Sequence, residues 1–247
     1  MNSLKSQGIN AFIWDFSGKI VMHGMTFVVA IILARLLEPS DFGLIAMVMV
    51  LFAMAGIFSD IGLSEALVQR KRVLAIHYSS VFYFNIFMAS LLSIVSFSFA
   101  YLIADFYNNQ DLIVLIQVIS ISFILQSLNS VHIAQFRKNL NFKALTKITF
   151  IASLLGGALG VSLAFQGLGV WSLVVQQLST ALIMNLLIWK TSTWRPHLVF
   201  SFKALTQLWN FGFRIFLSAL LDKVFSRLDI IIIAKLFPPA MLGFSKS

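Results

Sequence analysis

The sequence predicts an all-α, polytopic membrane protein, and three observations carry that prediction. Hydrophobic residues make up 59% of the chain and charged residues only 11%, with a mean hydropathy of +0.92. So little polar surface cannot coat a soluble globule of this size. Seven apolar runs, roughly 12–37, 42–66, 79–104, 112–134, 147–166, 168–189 and 208–237, are each long enough to cross a hydrocarbon layer of about 30 Å. They read as helices, because stretches such as 113–128 and 148–165 lack the alternating polarity of a barrel strand. Finally, the connections between runs alternate in charge, as they must when every second loop lies on the same side of a bilayer.

Taken in order, the first run carries Asp15, Lys19 and His23 at intervals of four, so they fall along one face, and it stops at Arg35-Leu36-Leu37-Glu38-Pro39. A cation there faces the negative end of the helix dipole, and the proline cannot continue the helix. The second run holds Asp60 and Glu65 near its end and is followed by Arg70, Lys71 and Arg72. The third ends in the acidic stretch 105–111. The fourth leads to Arg137, Lys138, Lys143 and Lys147. In the fifth, Gly156, Gly157 and Gly160 predict close helix packing. It ends at Gln166-Gly167, and the sixth leads to Lys190, Arg195 and Lys203. The seventh contains Arg214, Asp222, Lys223, Arg227 and Asp229.

Basic loops therefore follow the even-numbered runs, which places them, and the N-terminus, in the cytoplasm by the positive-inside rule. Trp189, Trp194 and Trp209 are expected as anchors at that interface, and Phe106, Tyr107 and Trp171 at the other. His77, His132 and His197 are expected as interfacial side chains. The net charge of +9 does not point to nucleic acid, since the basic residues sit between apolar runs and not on one solvent face. With no cysteine, neither disulfides nor thiolate metal sites are expected, and no cofactor or metal is. No cleaved signal peptide is expected either.

The segment Ala34-Arg35-Leu36-Leu37-Glu38-Pro39-Ser40-Asp41-Phe42-Gly43-Leu44 returns 200 residues later as Ala234-Lys235-Leu236-Phe237-Pro238-Pro239-Ala240-Met241-Leu242-Gly243-Phe244. Such a repeat in a membrane protein predicts two similar lobes. Six helices per repeat make the lobes parallel, with one six-helix lobe over residues 1–203 and a second beginning at 204–247. On this reading the chain is truncated one helix into its second lobe, and the intact form has at least twelve helices.

The same segment, with Asp60-Ile61-Gly62-Leu63-Ser64-Glu65-Ala66-Leu67-Val68-Gln69, Ala104-Asp105-Phe106-Tyr107, Trp194-Arg195-Pro196 and Phe211-Gly212, resembles the polysaccharide-transporter family. That family belongs to a larger superfamily of multidrug, oligosaccharidyl-lipid and polysaccharide flippases. The resemblance implies a 6+6 helix, two-lobe flippase of the bacterial inner membrane, working by alternating access. Its substrate would be an undecaprenyl-diphosphate-linked oligosaccharide of O-antigen, colanic-acid, capsule or teichuronic-acid type. The implied partners are that substrate, membrane lipids, a polysaccharide polymerase and other export-pathway proteins.

A diphosphate crossing a low-dielectric slab needs cations waiting inside. Lys19 and His23, with Asp15 as a resting partner, and Arg214, Lys223 and Arg227 on the seventh run are the candidates for substrate binding. Asp60, Asp222 and Asp229 are candidates for ion coupling or for pairing with those cations. Each has a plainer alternative: an Asp15–Lys19 bridge that locks the helix, Asp222 or Asp229 neutralising the cations beside them, and Glu65 at the interface beside Arg70. Asn85, Gln117, Gln126, Asn129, Gln176, Gln177 and Asn185 either meet sugar hydroxyls or bridge helices, the latter being commoner. The rival functions are a multidrug or small-molecule exporter of the same fold, which would favour carboxylates, and a multi-span enzyme of polysaccharide synthesis. No nucleophile–base pair, nucleotide loop or large outer loop supports the enzyme.

Overall fold

The computed structural model describes the backbone of residues 2–236 and the side chains of residues 13, 14 and 16–222. The second copy of the repeat, at 234–244, therefore falls almost wholly outside the described residues. Every regular element described is helical: α1 (Asn2–Leu36), α2 (Pro39–Gly56), a 3-10 turn (Ile57–Ser59), α3 (Leu63–Gln69), α4 (Ala75–Tyr107), α5 (Asp111–Ile119), α6 (Ile121–Lys138), α7 (Phe142–Phe165), α8 (Val170–Thr191) and α9 (Phe202–Leu236). Six segments are long and apolar enough to cross a membrane: Phe16–Leu36, Pro39–Ser59, Ala75–Tyr107, Asp111–Lys138, Phe142–Phe165 and Val170–Thr191. They correspond in order to the first six runs of the sequence. The six are counted among the described residues, which do not include the side chains of α9 beyond residue 222; that helix begins at Phe202, so that Lys203 stands in a helix and not in a loop.

Two of the apolar runs are not continuous. The fourth is interrupted at Ser120, whose hydroxyl donates to the Gln117 carbonyl (2.7 Å) between α5 and α6. Such back-bonding from a serine bends helices. The second apolar run, 42–66, is broken outright just past the span that ends at Ser59. After the 3-10 turn the backbone passes through positive φ at Ile61 (47°) and Gly62 (71°) before α3 restarts. The flanking residues Ser59, Asp60, Ser64 and Glu65 are polar, but polarity near the end of an apolar run does not distinguish a broken helix from one that reaches the interface.

The break is held from two sides. Asp60 accepts from the Ser64 backbone N–H (3.1 Å) and hydroxyl (2.7 Å), satisfying donors at the start of α3 that the interruption leaves open. On the other side Gly212 of α9 lies directly against Gly62, and a Cβ on Gly62 would collide with the Gly212 carbonyl oxygen. Phe216 packs edge-on against Phe58 (5.2 Å between centroids) one turn further along α9.

The glycines of α7 behave as the sequence predicts. A Cβ on Gly156 would overlap the Thr180 hydroxyl, one on Gly160 would lie 2.7 Å from Gln176 Cβ, and one on Gly157 would lie 3.0 Å from Val29 Cγ2. Gly156 and Gly160 thus seat α7 on α8, while Gly157 seats it on α1. Without a hydrophobic drive inside lipid, close approach of this kind is what holds helices together.

The basic and acidic loops separate to opposite ends of the bundle. At one end Lys138 Nζ donates to the carbonyls of Leu67 (2.9 Å), Val68 (3.3 Å) and Arg70, closing the C-terminus of α3. Arg195 does the same for α8 through Trp189 O (2.8 Å) and Ser192 O (2.7 Å), and its guanidinium lies over the Trp189 ring at 5.7 Å. Glu65 pairs with Arg137 (3.5 Å) and not with Arg70, which reaches Gln207 instead (2.7 Å). At the opposite end the Asp41 carboxylate accepts from the Glu38 N–H (3.3 Å) and rests against Gly169, close to the start of α8. Replacing Lys138 with alanine leaves three carbonyl acceptors at the end of α3 without their donor. We expect a loss of about 1–3 kcal/mol, read as a lowered melting temperature in detergent.

Three aromatic and histidine expectations need correction. Trp189 and Trp194 do not simply face an interface: both rings pack around His132, tilted and edge-on, at centroid distances of 4.9 and 5.0 Å, with Phe82 against them. His132 is fully buried, and its Nδ1 lies 2.9 Å from the Ser192 hydroxyl. His77 is buried as well, accepting from the Leu74 N–H (3.2 Å) and bonded to Gln207 (3.0 Å), so of these three histidines His197 alone is exposed. Near a helix end these residues read as interfacial because the sequence does not show the 192–201 segment folding back beside them.

Candidate functional site: a vestibule lined by amides

Two adjoining cavities open among α1, α2, α4, α6, α7 and α8. The first, about 450 Å³, is walled by Gln126, Gln176, Gln177 and Thr180, with Thr26 and Ser153 opposite. The second, about 380 Å³, is walled by Ser59, Asp60, Asn85, Asn129 and Ser130. Gln126, Ala181 and Met184 belong to both, so the two form one vestibule with a shared partition. These volumes lie within the range of small-molecule pockets.

The helix faces explain why polar groups gather here. Gln176, Gln177 and Thr180 fall at intervals of three and four on α8, on a face that α7 approaches only where Gly156 and Gly160 permit it. On α6, Gln126, Asn129, Ser130 and Ile133 repeat at the same spacing and point into the same space. The reading of the amides thus divides. Asn185 is a bridge, donating to Leu125 O (2.8 Å) and Ala181 O (2.9 Å). Gln126, Asn129, Gln176 and Gln177 instead line the vestibule, and Asn85 does both, since it lines the wall while tying Asp60 (2.6 Å) to Ser130 (3.0 Å).

The charged candidates are placed differently. Asp60 is on the wall, bonded to Ser64 and Asn85, with no cationic partner among the described residues. Lys19 and His23 are exposed on the outside of α1 and do not line either cavity. Seven residues on from Lys19, Thr26 returns to nearly the same helical face, about 10 Å along the axis, and does line it. Arg214 and Asp222 are exposed on α9. The side chains of Asp15, Lys223, Arg227 and Asp229 lie outside the described residues. Among the described residues no group of three or more His, Asp or Glu side chains is placed to hold a metal ion.

These features define a multi-pass, all-helical membrane protein with a polar vestibule between its spans. A family model described as "Polysaccharide biosynthesis protein" matches residues 32–247, and the chain belongs to that family. It is similar to the succinoglycan biosynthesis transport protein ExoT of Rhizobium meliloti (strain 1021), 29% identical over 81% of this chain and 40% of the relative. It is similar also to the lipopolysaccharide biosynthesis protein WzxC of Escherichia coli (strain K12), at 24% over 98% of this chain and 49% of the relative. The teichuronic acid biosynthesis protein TuaB of Bacillus subtilis (strain 168) is 25% identical over 76% of this chain and 40% of the relative. The chain spans at most about half the length of these curated relatives. No solved structure matches it.

Proposed function

We propose that this chain forms the first six-helix lobe of a transporter that moves a lipid-linked oligosaccharide, carried on a polyprenyl diphosphate, across the bacterial inner membrane by alternating access. The relatives' names support export of a polysaccharide or its precursor. The observation that carries the reading is the vestibule: amide side chains in a row, able to donate and accept at once, match the hydroxyl-rich surface of a sugar. The exposed stripe of Lys19 and His23 leads along α1 to Thr26 at its edge, and on this reading it meets the diphosphate while Gln126, Gln176 and Gln177 meet the glycan. On the same reading Arg214 of α9 is an opposing cation, where residues 204–247 begin the second lobe; Lys223 and Arg227 are the further candidates, and their side chains lie outside the described residues.

Complementation of a strain lacking the transporter tests this. Gln177→Leu with Gln126→Leu, and separately Lys19→Ala, are expected to lower surface glycan at least tenfold at unchanged protein level, with drug sensitivity unaltered. Normal glycan display in all of these variants, or a shift in drug sensitivity instead, overturns the reading in favour of a small-molecule exporter.

Orientation follows from the same argument as in the sequence: the basic end, carrying Arg70, Lys71 and Arg72, lies in the cytoplasm. The chain has no cysteine, so single cysteines report cleanly. We expect Lys71→Cys to react with an impermeant maleimide only after cells are opened, and Gln110→Cys to react in intact cells.

A further inference from the structure

The half of the vestibule beside the broken span has a chemical bias that sugar recognition does not require. Its serines have already committed their protons. Ser59 donates to Gly56 O (2.7 Å), Ser127 to Ile124 O (2.8 Å) and Ser130 to Ser127 O (2.9 Å), so each turns only lone pairs to the cavity. Asn85 gives its amide protons to Asp60 Oδ1 (2.6 Å) and Ser130 Oγ (3.0 Å). Its orientation is fixed by Asp60, because a flipped amide would press a carbonyl oxygen against the carboxylate. Asn85 Oδ1 is consequently left buried without a donor, and so is Asn129 Oδ1; the two residues are 0% and 4% exposed. Two orphaned oxygens in one cavity call for an occupant that supplies positive charge.

Two further features point the same way. Asp60 brings a carboxylate to the wall with no cationic side chain bonded to it among the described residues, and an uncompensated charge at membrane depth costs several kcal/mol. The nearest acidic neighbour along α3, Glu65, is neutralised by Arg137 and so does not draw on the same occupant. The wall also includes Ser59, at the point where the second span comes apart after α2, so the negative end of a helix dipole and loosened backbone carbonyls adjoin the cavity. Discontinuous helices use these groups to coordinate small cations. Gln126 and Asn129 keep free amide donors; Gln126 stands at the partition with the neighbouring cavity, and Asn129, whose amide no hydrogen bond fixes, is free to turn its oxygen to an occupant.

We propose that this cavity is a binding site for a monovalent alkali cation of the size of Na+, held by Asp60 with the amide oxygens of Asn85 and Asn129. Hard oxygen donors carrying a single carboxylate suit a singly charged ion, and a divalent ion would ask for more anionic ligands. The site is distinct from the amides assigned to the glycan and stands or falls without any glycan lipid present.

Binding of ²²Na+ to the intact protein in nanodiscs, measured by scintillation proximity in choline chloride at constant ionic strength and neutral pH, tests it. Saturable binding is expected for the wild type. Asp60→Asn abolishes it. Asn129→Ala, which leaves every hydrogen bond of Asp60 in place and therefore the fold intact, weakens it about tenfold, equivalent to about 1.4 kcal/mol. Absence of saturable binding to folded wild-type protein overturns the proposal, as does binding that Asn129→Ala and Asp60→Asn both leave unchanged. A tryptophan fluorescence response to pH with none to Na+ overturns it in favour of a proton alone.

Discussion

Gly62→Val is expected to lower the melting temperature of the protein by roughly 5–20 °C, or to prevent accumulation of folded protein altogether. Two separate penalties act at this position. At φ 71° any L side chain strains the backbone by about 1–2 kcal/mol, more for a β-branched one. The new Cβ would also meet the Gly212 carbonyl oxygen, which belongs to the backbone of α9 and cannot rotate away, and overpacking of that kind costs about 1–3 kcal/mol. Together these give roughly 2–5 kcal/mol, and for a chain of this length about 2–4 °C accompanies each kcal/mol. Gly167 separates the two penalties, because its φ is 76° yet nothing lies within 4 Å of its missing Cβ. Gly167→Val should show the strain without the collision. Gly24, mid-helix and with open space around it, should accept alanine with no loss or a small gain. Fluorescence-detected size-exclusion melting of tagged variants reads all three, and equal losses at Gly62 and Gly167 would show that the contact with α9 contributes nothing.

The second large effect is expected at Gly156→Leu. Its Cβ would occupy the place of the Thr180 hydroxyl, with the Gln176 carbonyl 3.0 Å away, so α7 must withdraw from α8 along its length. That withdrawal widens the cavity wall built by Gln176, Gln177 and Thr180, so transport should fall further than folding does. The smaller Gly156→Ala isolates the cause. Alone it should be destabilising, and combined with Thr180→Gly, which clears the overlapping atoms, it should recover most of the loss. A thermodynamic cycle over these variants measures the coupling directly. Additive losses would mean that the two helices are not held by this contact.

The long elements were legible because each rests on one physical requirement that composition reports: a run of apolar residues matching the thickness of a bilayer, ended by charge. For α1, α4, α7 and α8 that was sufficient. It failed where backbone geometry and not hydropathy decides, at Ile61-Gly62 and at Ser120, since neither a positive φ nor a serine's back-bond alters the apolar count. One clue was available at the first of these, an acidic residue followed within two positions by glycine inside an apolar run. The vestibule was half legible. The polar residues were visible by type, but which of them bridge helices and which face the cavity depends on neighbours far away in sequence, as Asn185 and Gln126 show. His132 and Trp194 were misread for the same reason, because residues 60 positions apart bring Ser192 to the imidazole. Lys19, by contrast, was proposed from its charge and spacing alone, and it is exposed and lines neither cavity.

The seat of α9 on the interrupted span has a mechanical consequence. Gly212 and Gly62 touch through main-chain atoms with no side chain between them to yield. A displacement of α9 would therefore bear directly on the Ile61-Gly62 peptide. Asp60 is the next residue back along the chain, so the grip on Ser64 and Asn85 is where that torque arrives. The glycine pair acts as a pivot without a cushion, coupling the tilt of one helix to the shape of the acidic cavity beside another.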